Sequence, residues 1–307
     1  MNKTIDVIIP VYKPDERLDK LIERLQKQVN KPNHIFLMST RDGREQEREE
    51  KFGNISNLSI HHIEKADFDH GGTRHLAASL SSADFMLFMT QDVIIANAYL
   101  IEEMLKPFED ENIAAVYGRQ LPAKNAGAIE KYTRGFNYPK EESVKSKADL
   151  EELGIKTYFC SNVCAAYRKS VYDELGGFVQ KTIFNEDMIM ASKIIGADYS
   201  IAYAANARVI HSHNYTCWEQ FKRNFDLAVS QVQYKEAFAG VKSESEGIRL
   251  VKDTAKHFIK TKKWKNIFKL ILQSGFKYLG YKFGQNYEKL PKKFVKKCSM
   301  NPSYWKE

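Results

Sequence analysis

Four short apolar runs, residues 5–10, 34–39, 58–63 and 85–89, follow one another early in the chain, each succeeded by a segment of helical character. After the break Lys13-Pro14-Asp15, for example, Leu18, Leu21, Ile22 and Leu25 fall on one helical face, and further helices are expected near residues 44–51, 72–81 and 97–108. Strands that are apolar along their whole length need cover on both faces, and intervening helices supply it. The alternation predicts an α/β fold built on a doubly wound, mostly parallel sheet. In such sheets ligands bind beyond the carboxyl ends of the strands, which directs attention to the loops at 11–15, 40–42, 67–74 and 90–93.

Past residue 122 the pattern loosens into a polar stretch at 132–154 that contains Pro139 and reads as a surface excursion. It resumes with an apolar run at 157–167, a helix at 170–175 stopped by Gly176-Gly177, and a helix at 186–195 ended by Gly196. Next comes a strand-like run at 200–211, and from Trp218 to about Tyr287 the chain reads as helical. No internal repeat is present.

The 307 residues are 43% apolar and 28% charged, which excludes a disordered or fibrous chain. The net charge of +8 is unevenly placed: residues 1–247 hold 31 Lys/Arg against 36 Asp/Glu, and residues 248–307 hold 16 against 3. The acidic larger part and the lack of a nucleic-acid-binding motif argue against a nucleic-acid partner. The longest charge-free run, 157–167, has 11 residues, against about 20 for a membrane-spanning helix. The N-terminus enters the first strand without the apolar segment of a signal peptide, so a cytoplasmic location is expected. Cys160, Cys164, Cys217 and Cys298 show no metal-binding spacing and read as reduced thiols.

Four constellations carry chemistry. Phe88-Met89-Thr90-Gln91-Asp92 ends an apolar strand in a carboxylate, and Asn185-Glu186-Asp187 places two acids at a helix start, where the helix dipole alone would favour them. His211-Ser212-His213 ends a strand; the two imidazoles are expected at one sheet edge on opposite faces, leaving one to join Asp92 around a hard divalent cation, Mn²⁺ or Mg²⁺. Asp69-His70-Gly71-Gly72-Thr73-Arg74 is a small-residue turn into a helix, suited to close approach of a phosphate or sugar, with Arg74 as a charged donor.

These motifs, in this order and together with Val7-Ile8-Ile9-Pro10-Val11-Tyr12 and Val209-Ile210-His211-Ser212-His213-Asn214-Tyr215, resemble those of family 2 glycosyltransferases of the Rossmann-like GT-A fold, especially the bacterial rhamnosyltransferase-like branch. The resemblance covers residues 5 to about 226. It implies a catalytic domain over 1–226 and a basic helical region over 227–307. It further implies inverting transfer of a sugar, rhamnose from dTDP-rhamnose in this branch, to a hydroxyl of a lipid-linked cell-surface glycan. In that reading Asp187 is the general base with Glu186 beside it. Pro10, Val11 and Tyr12 hold the nucleobase, Asp69 and Arg74 lie near the nucleotide, Gln91 and Asp92 meet the donor, and Asp92 with His213 or His211 binds the metal.

The chain departs from the family pattern in two places. Hydroxyls and Asp42 stand in Met38-Ser39-Thr40-Arg41-Asp42 where many relatives carry an acidic pair, and the Asp-x-Asp motif is reduced to Thr90-Gln91-Asp92, a variant that recurs in the rhamnosyltransferase-like branch. A processive-synthase motif is only echoed in Gln220-Phe221-Lys222-Arg223-Asn224. The Lys- and aromatic-rich tail reads as an amphipathic surface for the inner face of a bacterial plasma membrane. The competing reading is a non-catalytic membrane-surface protein that binds glycan or nucleotide on the same fold.

Overall fold

The computed structural model describes residues 3–241 and 244–305, the side chains of 244–246 excepted. Nine strands run β1 (Ile5–Val11), β2 (Ile35–Thr40), β3 (Leu58–Ile63), β4 (Phe85–Met89), β5 (Ile94–Ile95), β6 (Ile113–Leu121), β7 (Ser143–Lys145), β8 (Cys164–Arg168) and β9 (Ser200–Ile210). The helices that precede the acid motif are α1 (Glu16–Gln26), α2 (Glu45–Phe52), α3 (His70–Leu80), α4 (Leu100–Leu105), α5 (Ala128–Asn137), α6 (Leu150–Leu153) and α7 (Lys169–Glu174). After them come α8 (Glu186–Gly196), α9 (Cys217–Gln233), α10 (Glu244–Lys260), α11 (Trp264–Gln285) and α12 (Lys292–Cys298).

The strands form one sheet in the order β3-β2-β1-β4-β8-β6-β9-β5, with β7 also paired to β9. Strands β1 to β4 are mutually parallel neighbours, β8 runs antiparallel to both β4 and β6, and β9 is parallel to β6. The parallel character expected of the sheet holds across β1 to β4 and again between β6 and β9, but the antiparallel β8, β5 and β7 make the whole mixed. Burial on both faces is visible in β1, β2 and β4, whereas the edge strand β3 is only partly buried. Val7, Ile9 and Val11 of β1 enter one core cluster with Leu87 of β4, whereas Ile8 enters the other with Met86 and Phe88. Asp15 caps α1 by accepting from Arg17 N at 3.0 Å, and Leu18, Leu21, Ile22 and Leu25 are buried as the periodicity requires.

The polar stretch 132–154 is more than a surface excursion. It contributes β7 to the sheet and buries Tyr138 and Lys145. Lys145 is tolerated because its Nζ donates to the carbonyls of Lys156 and Phe159 and lies 4.8 Å above the Tyr117 ring. Burial still pushes its pKa down, to about 7. Only 164–168 of the apolar run 157–167 and its neighbour is strand; the preceding Ser161-Asn162 is a loop that reaches the site described below.

The division expected at 226/227 falls inside α9, a continuous helix that buries Phe221, Phe225 and Val229 against α11 and α12. Contact is close because α11 carries Gly280 and Gly284 one turn apart. A Cβ there would lie 2.1 Å from Phe221 O and 2.3 Å from Phe225 O. Among the described residues no helix is long and apolar enough to cross a membrane.

Candidate active site

The site is assembled where β1, β4, β6 and β9 end. Gln91, just past β4, accepts from Tyr12 N at 2.8 Å through Oε1 and donates to Tyr12 O at 2.9 Å through Nε2. This two-point clamp joins the β1 and β4 loops and sets the direction of the next side chain, Asp92. The Asp92 carboxylate lies 3.5 Å from His211 Nε2, 3.4 Å from His213 Nε2 and 3.6 Å from Arg17 Nη1. Burial opposes its charge, but the hydrogen bond and charge of His211, with further help from His213, outweigh burial and hold the carboxyl well below its ordinary range.

Both histidines face Asp92, which overturns the expectation of opposite faces: residues two apart along an extended chain point to the same side, and His211 and His213, just past the end of β9, keep that relation. His211 Nδ1 sits 3.1 Å from Gln120 Oε1. Arg134, which can only donate, also binds that oxygen, so the Gln120 amide is oriented and His211 Nδ1 carries a proton. His213 stacks on Tyr215 at 4.9 Å, and its Nε2 is 2.9 Å from His211 Nε2. Burial and then the charge of His211 push its pKa down to about 4, so it is neutral near pH 7, as a metal ligand must be. Ligand atoms of Asp92, His211 and His213 all lie within 4.8 Å of one another. Adjacent donors of a six-coordinate ion at Mg²⁺-like bond lengths stand about 3 Å apart. The three residues fit a divalent cation, and two imidazoles with one carboxylate suit Mn²⁺ better than Mg²⁺.

The acids stand at the start of α8. Asn185 before them has φ 63°, the left-handed region that Asn tolerates better than most residues. It is fixed there from α9, because its Nδ2 donates to Leu227 O at 3.2 Å and Ser230 Oγ at 2.6 Å. Glu186 is buried, pairs with Arg74 at 3.2 Å and accepts from Asn162 Nδ2 at 3.3 Å. Burial opposes its ionisation, but Arg74 chiefly outweighs it and the pKa is lowered. Asp187 accepts from Asn162 N at 3.2 Å and Met188 N at 2.8 Å. Burial, reinforced by the charge of Glu186, raises its pKa to about 7. Its side chain retains some exposure to the cleft, unlike that of Glu186.

Hydrogen bonds connect the two halves. Gln120 Nε2 donates to Ser161 Oγ at 3.1 Å, and the next residue, Asn162, supports both acids. Gln120 carried no motif and was invisible to sequence reasoning; its place becomes apparent only once β6 lies beside β9.

Other expected residues are placed differently. Arg74 is buried, gives Nη1 to His70 O at 2.8 Å and to Glu186, and so acts on the acid rather than facing a nucleotide. Asp69 caps α3 by accepting from Gly72 N at 2.6 Å. The glycines serve packing: a Cβ on Gly71 would lie 1.8 Å from Val179 O. Of the β1 residues, Val11 is buried, Pro10 is partly so, and Tyr12 is half-exposed with Lys13 and Lys65 Nζ at 5.5 and 5.6 Å from its ring. Asp42, the acid left after β2, is spent on Arg48 at 2.9 Å, while the Ser39 and Thr40 hydroxyls beside it are buried without a partner among the described residues. The thiols of Cys160 and Cys164 are free and buried, and burial raises both to about 12.

The model of glycosyl transferase family 2 matches residues 6–176. Over 306 residues the chain is 41% identical to the O-antigen chain rhamnosyltransferase RfbN of Salmonella typhimurium, covering 98% of this chain and 96% of that one. It is equally, 41%, identical to the O-antigen chain rhamnosyltransferase WbaN of Salmonella anatum, over 97% of this chain and 95% of the other. The fold matches a mannosyltransferase from Pyrobaculum calidifontis in complex with GDP-Man and Mn²⁺, with TM-score 0.64, 10% identity and coverage of 94% and 89%. It also matches S. aureus TarS in complex with UDP-GlcNAc, with TM-score 0.55, 14% identity and coverage of 93% and 91%. The α/β architecture is thus the GT-A fold, and the chain is an enzyme, a rhamnosyltransferase-like member of glycosyl transferase family 2.

Proposed function

We propose that this enzyme transfers rhamnose from dTDP-rhamnose, with inversion, to a hydroxyl of a lipid-linked O-antigen-type glycan. The observation that carries the chemistry is the pairing, across the Gln120-Ser161-Asn162 link, of a cation-ready cluster with a carboxyl whose pKa lies near 7. Inversion requires a base on the acceptor side that takes the hydroxyl proton as the oxygen attacks the anomeric carbon. Asp187 has the pKa for that task, and Glu186, tied to Arg74, raises it without competing for the proton. Asp92, His211 and His213 would hold Mn²⁺ or Mg²⁺, which when bound supplies positive charge for the departing diphosphate. The β1 loop at Pro10, Val11 and Tyr12, clamped by Gln91, borders the place for the nucleoside.

The assignment is tested by Asp187→Asn. Transfer is expected to fall about 10³-fold, within the range for a lost general base, while dTDP-rhamnose affinity measured by calorimetry holds. Wild-type transfer in this variant would remove the base assignment.

The enzyme works, in this reading, at the inner face of the plasma membrane. One face of α11 exposes Trp264, Phe268, Ile271 and Tyr278, each 60% or more exposed, beside Lys262, Lys263 and Lys265. Aromatic and aliphatic side chains framed by lysines suit an anionic bilayer surface. Phe268→Glu with Ile271→Glu should abolish co-sedimentation with anionic vesicles and leave transfer to a water-soluble acceptor intact; undiminished co-sedimentation would contradict the membrane reading.

A further inference from the structure

The face of α11 turned toward the protein lines a cleft of about 300 Å³ that adjoins the metal cluster and shares His213 with it. Its other walls come from α5 and from Asn214 and Tyr215, past β9. Helix α11 lies outside the residues 6–176 matched by the family model, so this wall belongs to the chain's C-terminal region.

The cleft is polar and carries unspent positive charge. Lys277 lines it, and among the described residues its ammonium makes no ion pair or hydrogen bond. Burial lowers its pKa, which shows how poorly the interior alone supports its charge. Lys269 stands in the same wall, exposed and likewise unpaired. The lining acid, Glu130, pairs with Arg134 at 2.7 Å, and its charge also favours the Lys277 ammonium without a direct ion pair. Gln220, Asn266 and Gln273 add amide groups whose side chains make no hydrogen bond among the described residues. Two lysines without a direct ion pair among the described residues, neutral N–H donors around them and a divalent-cation cluster at one end form a complement to an extended polyanion with many acceptor oxygens.

We propose that this cleft is a diphosphate subsite, in which Lys277 and Lys269 bind the phosphate oxygens of a substrate whose other end reaches the Asp92 cluster. The proposal rests on the reading of the enzyme as one that uses a diphosphate-linked donor and a lipid-carried acceptor. Both bear this group: the nucleoside diphosphate of the donor and the prenyl diphosphate of a lipid carrier. The position of the cleft on α11 brings it within one helix diameter of the face assigned to the bilayer.

The test is calorimetric titration of the full chain with inorganic pyrophosphate in EDTA, which removes metal-bridged binding. Losing one charge-assisted contact should weaken binding roughly tenfold in Lys277→Gln, and Lys277→Arg, which keeps the charge, should restore most of it. Pyrophosphate affinity equal to wild type in the double variant Lys269→Gln/Lys277→Gln overturns the subsite, as does equal weakening by Lys277→Gln and Lys277→Arg, because that would report packing rather than charge. Titration with dTDP and with farnesyl diphosphate then assigns the source. A loss confined to dTDP places the donor's diphosphate in the cleft, and a loss confined to farnesyl diphosphate places the lipid carrier's there. Failure of the broader functional reading shows separately, as an absence of rhamnosyl transfer from dTDP-rhamnose to a lipid-linked acceptor by the wild-type enzyme.

Discussion

Asp92 and Asp187 are both largely enclosed carboxyls near the ends of secondary-structure elements, connected through His211, Gln120, Ser161 and Asn162, yet their surroundings drive them in opposite directions. Two imidazoles and an arginine surround Asp92 and keep it ionised. Asp187 has a second carboxylate, Glu186, as its neighbour, and the one cation within reach, Arg74, is engaged by Glu186, so Asp187 rises to about 7. Identical side chains thus become a permanent anion at one end and a proton acceptor at the other. The difference is made by second neighbours: Gln120 orienting His211, and Arg74 fixing Glu186.

The largest effect that would break this contrast comes from exchanging the lesion. Asp92→Asn should weaken Mn²⁺ binding, read by electron paramagnetic resonance titration, by about a hundredfold or more, since removing even an outer partner of a ligand takes 10- to 100-fold. Unchanged Mn²⁺ affinity would place the metal elsewhere. Gln120→Ala tests the outer partner itself, with a loss of about tenfold to a hundredfold in Mn²⁺ affinity expected from the freed His211 ring.

Glu186→Gln sharpens the base end. It removes the charge that helps to raise Asp187, so the acidic limb of the pH profile of transfer should move to lower pH. An unmoved limb would show that burial alone sets the base. Because Arg74 then loses its buried partner, the variant should also melt earlier than wild type.

A smaller effect concerns stability. A carboxyl whose folded pKa lies above its unfolded value binds its proton more tightly when folded, so its contribution favours the native state below about pH 4, its ordinary value, and declines as pH rises toward about 7. Asp187→Asn is neutral at every pH. The melting temperature of the variant relative to wild type should therefore increase as pH goes from about 4 to 8. A difference independent of pH would mean that Asp187 titrates normally in the folded protein.

Much of this was legible in sequence. The apolar runs of β1, β2 and β4 marked the parallel part of the sheet because strands buried on both faces have no other pattern, with β3 at the edge only partly buried, and Asp92, Glu186 and Asp187 stood out as carboxylates near element ends. The antiparallel insertion of β8 was hidden, because pairing partners depend on topology and not on local composition. His211 and His213 were assigned to opposite faces, although residues two apart on an extended chain share a face, and both meet Asp92. Arg74 was read as a ligand contact because a charge on a glycine-rich turn carries no sign of the buried acid, more than a hundred residues away, that claims it. The basic tail was read as one amphipathic surface, whereas Gly280 and Gly284 let one side of α11 pack on α9 while only its other side stays exposed.

The central claim is that Asp187 alone of the two aspartates accepts a proton near neutrality. Its most direct measurement is the titration of the two side-chain carboxyls by NMR on protein carrying ¹³C-labelled aspartate, with Asp187→Asn and Asp92→Asn identifying the signals. The account predicts a midpoint of about 7 for Asp187 and an Asp92 signal that stays ionised through that range. An Asp187 midpoint at the ordinary carboxyl value of about 4 would contradict it.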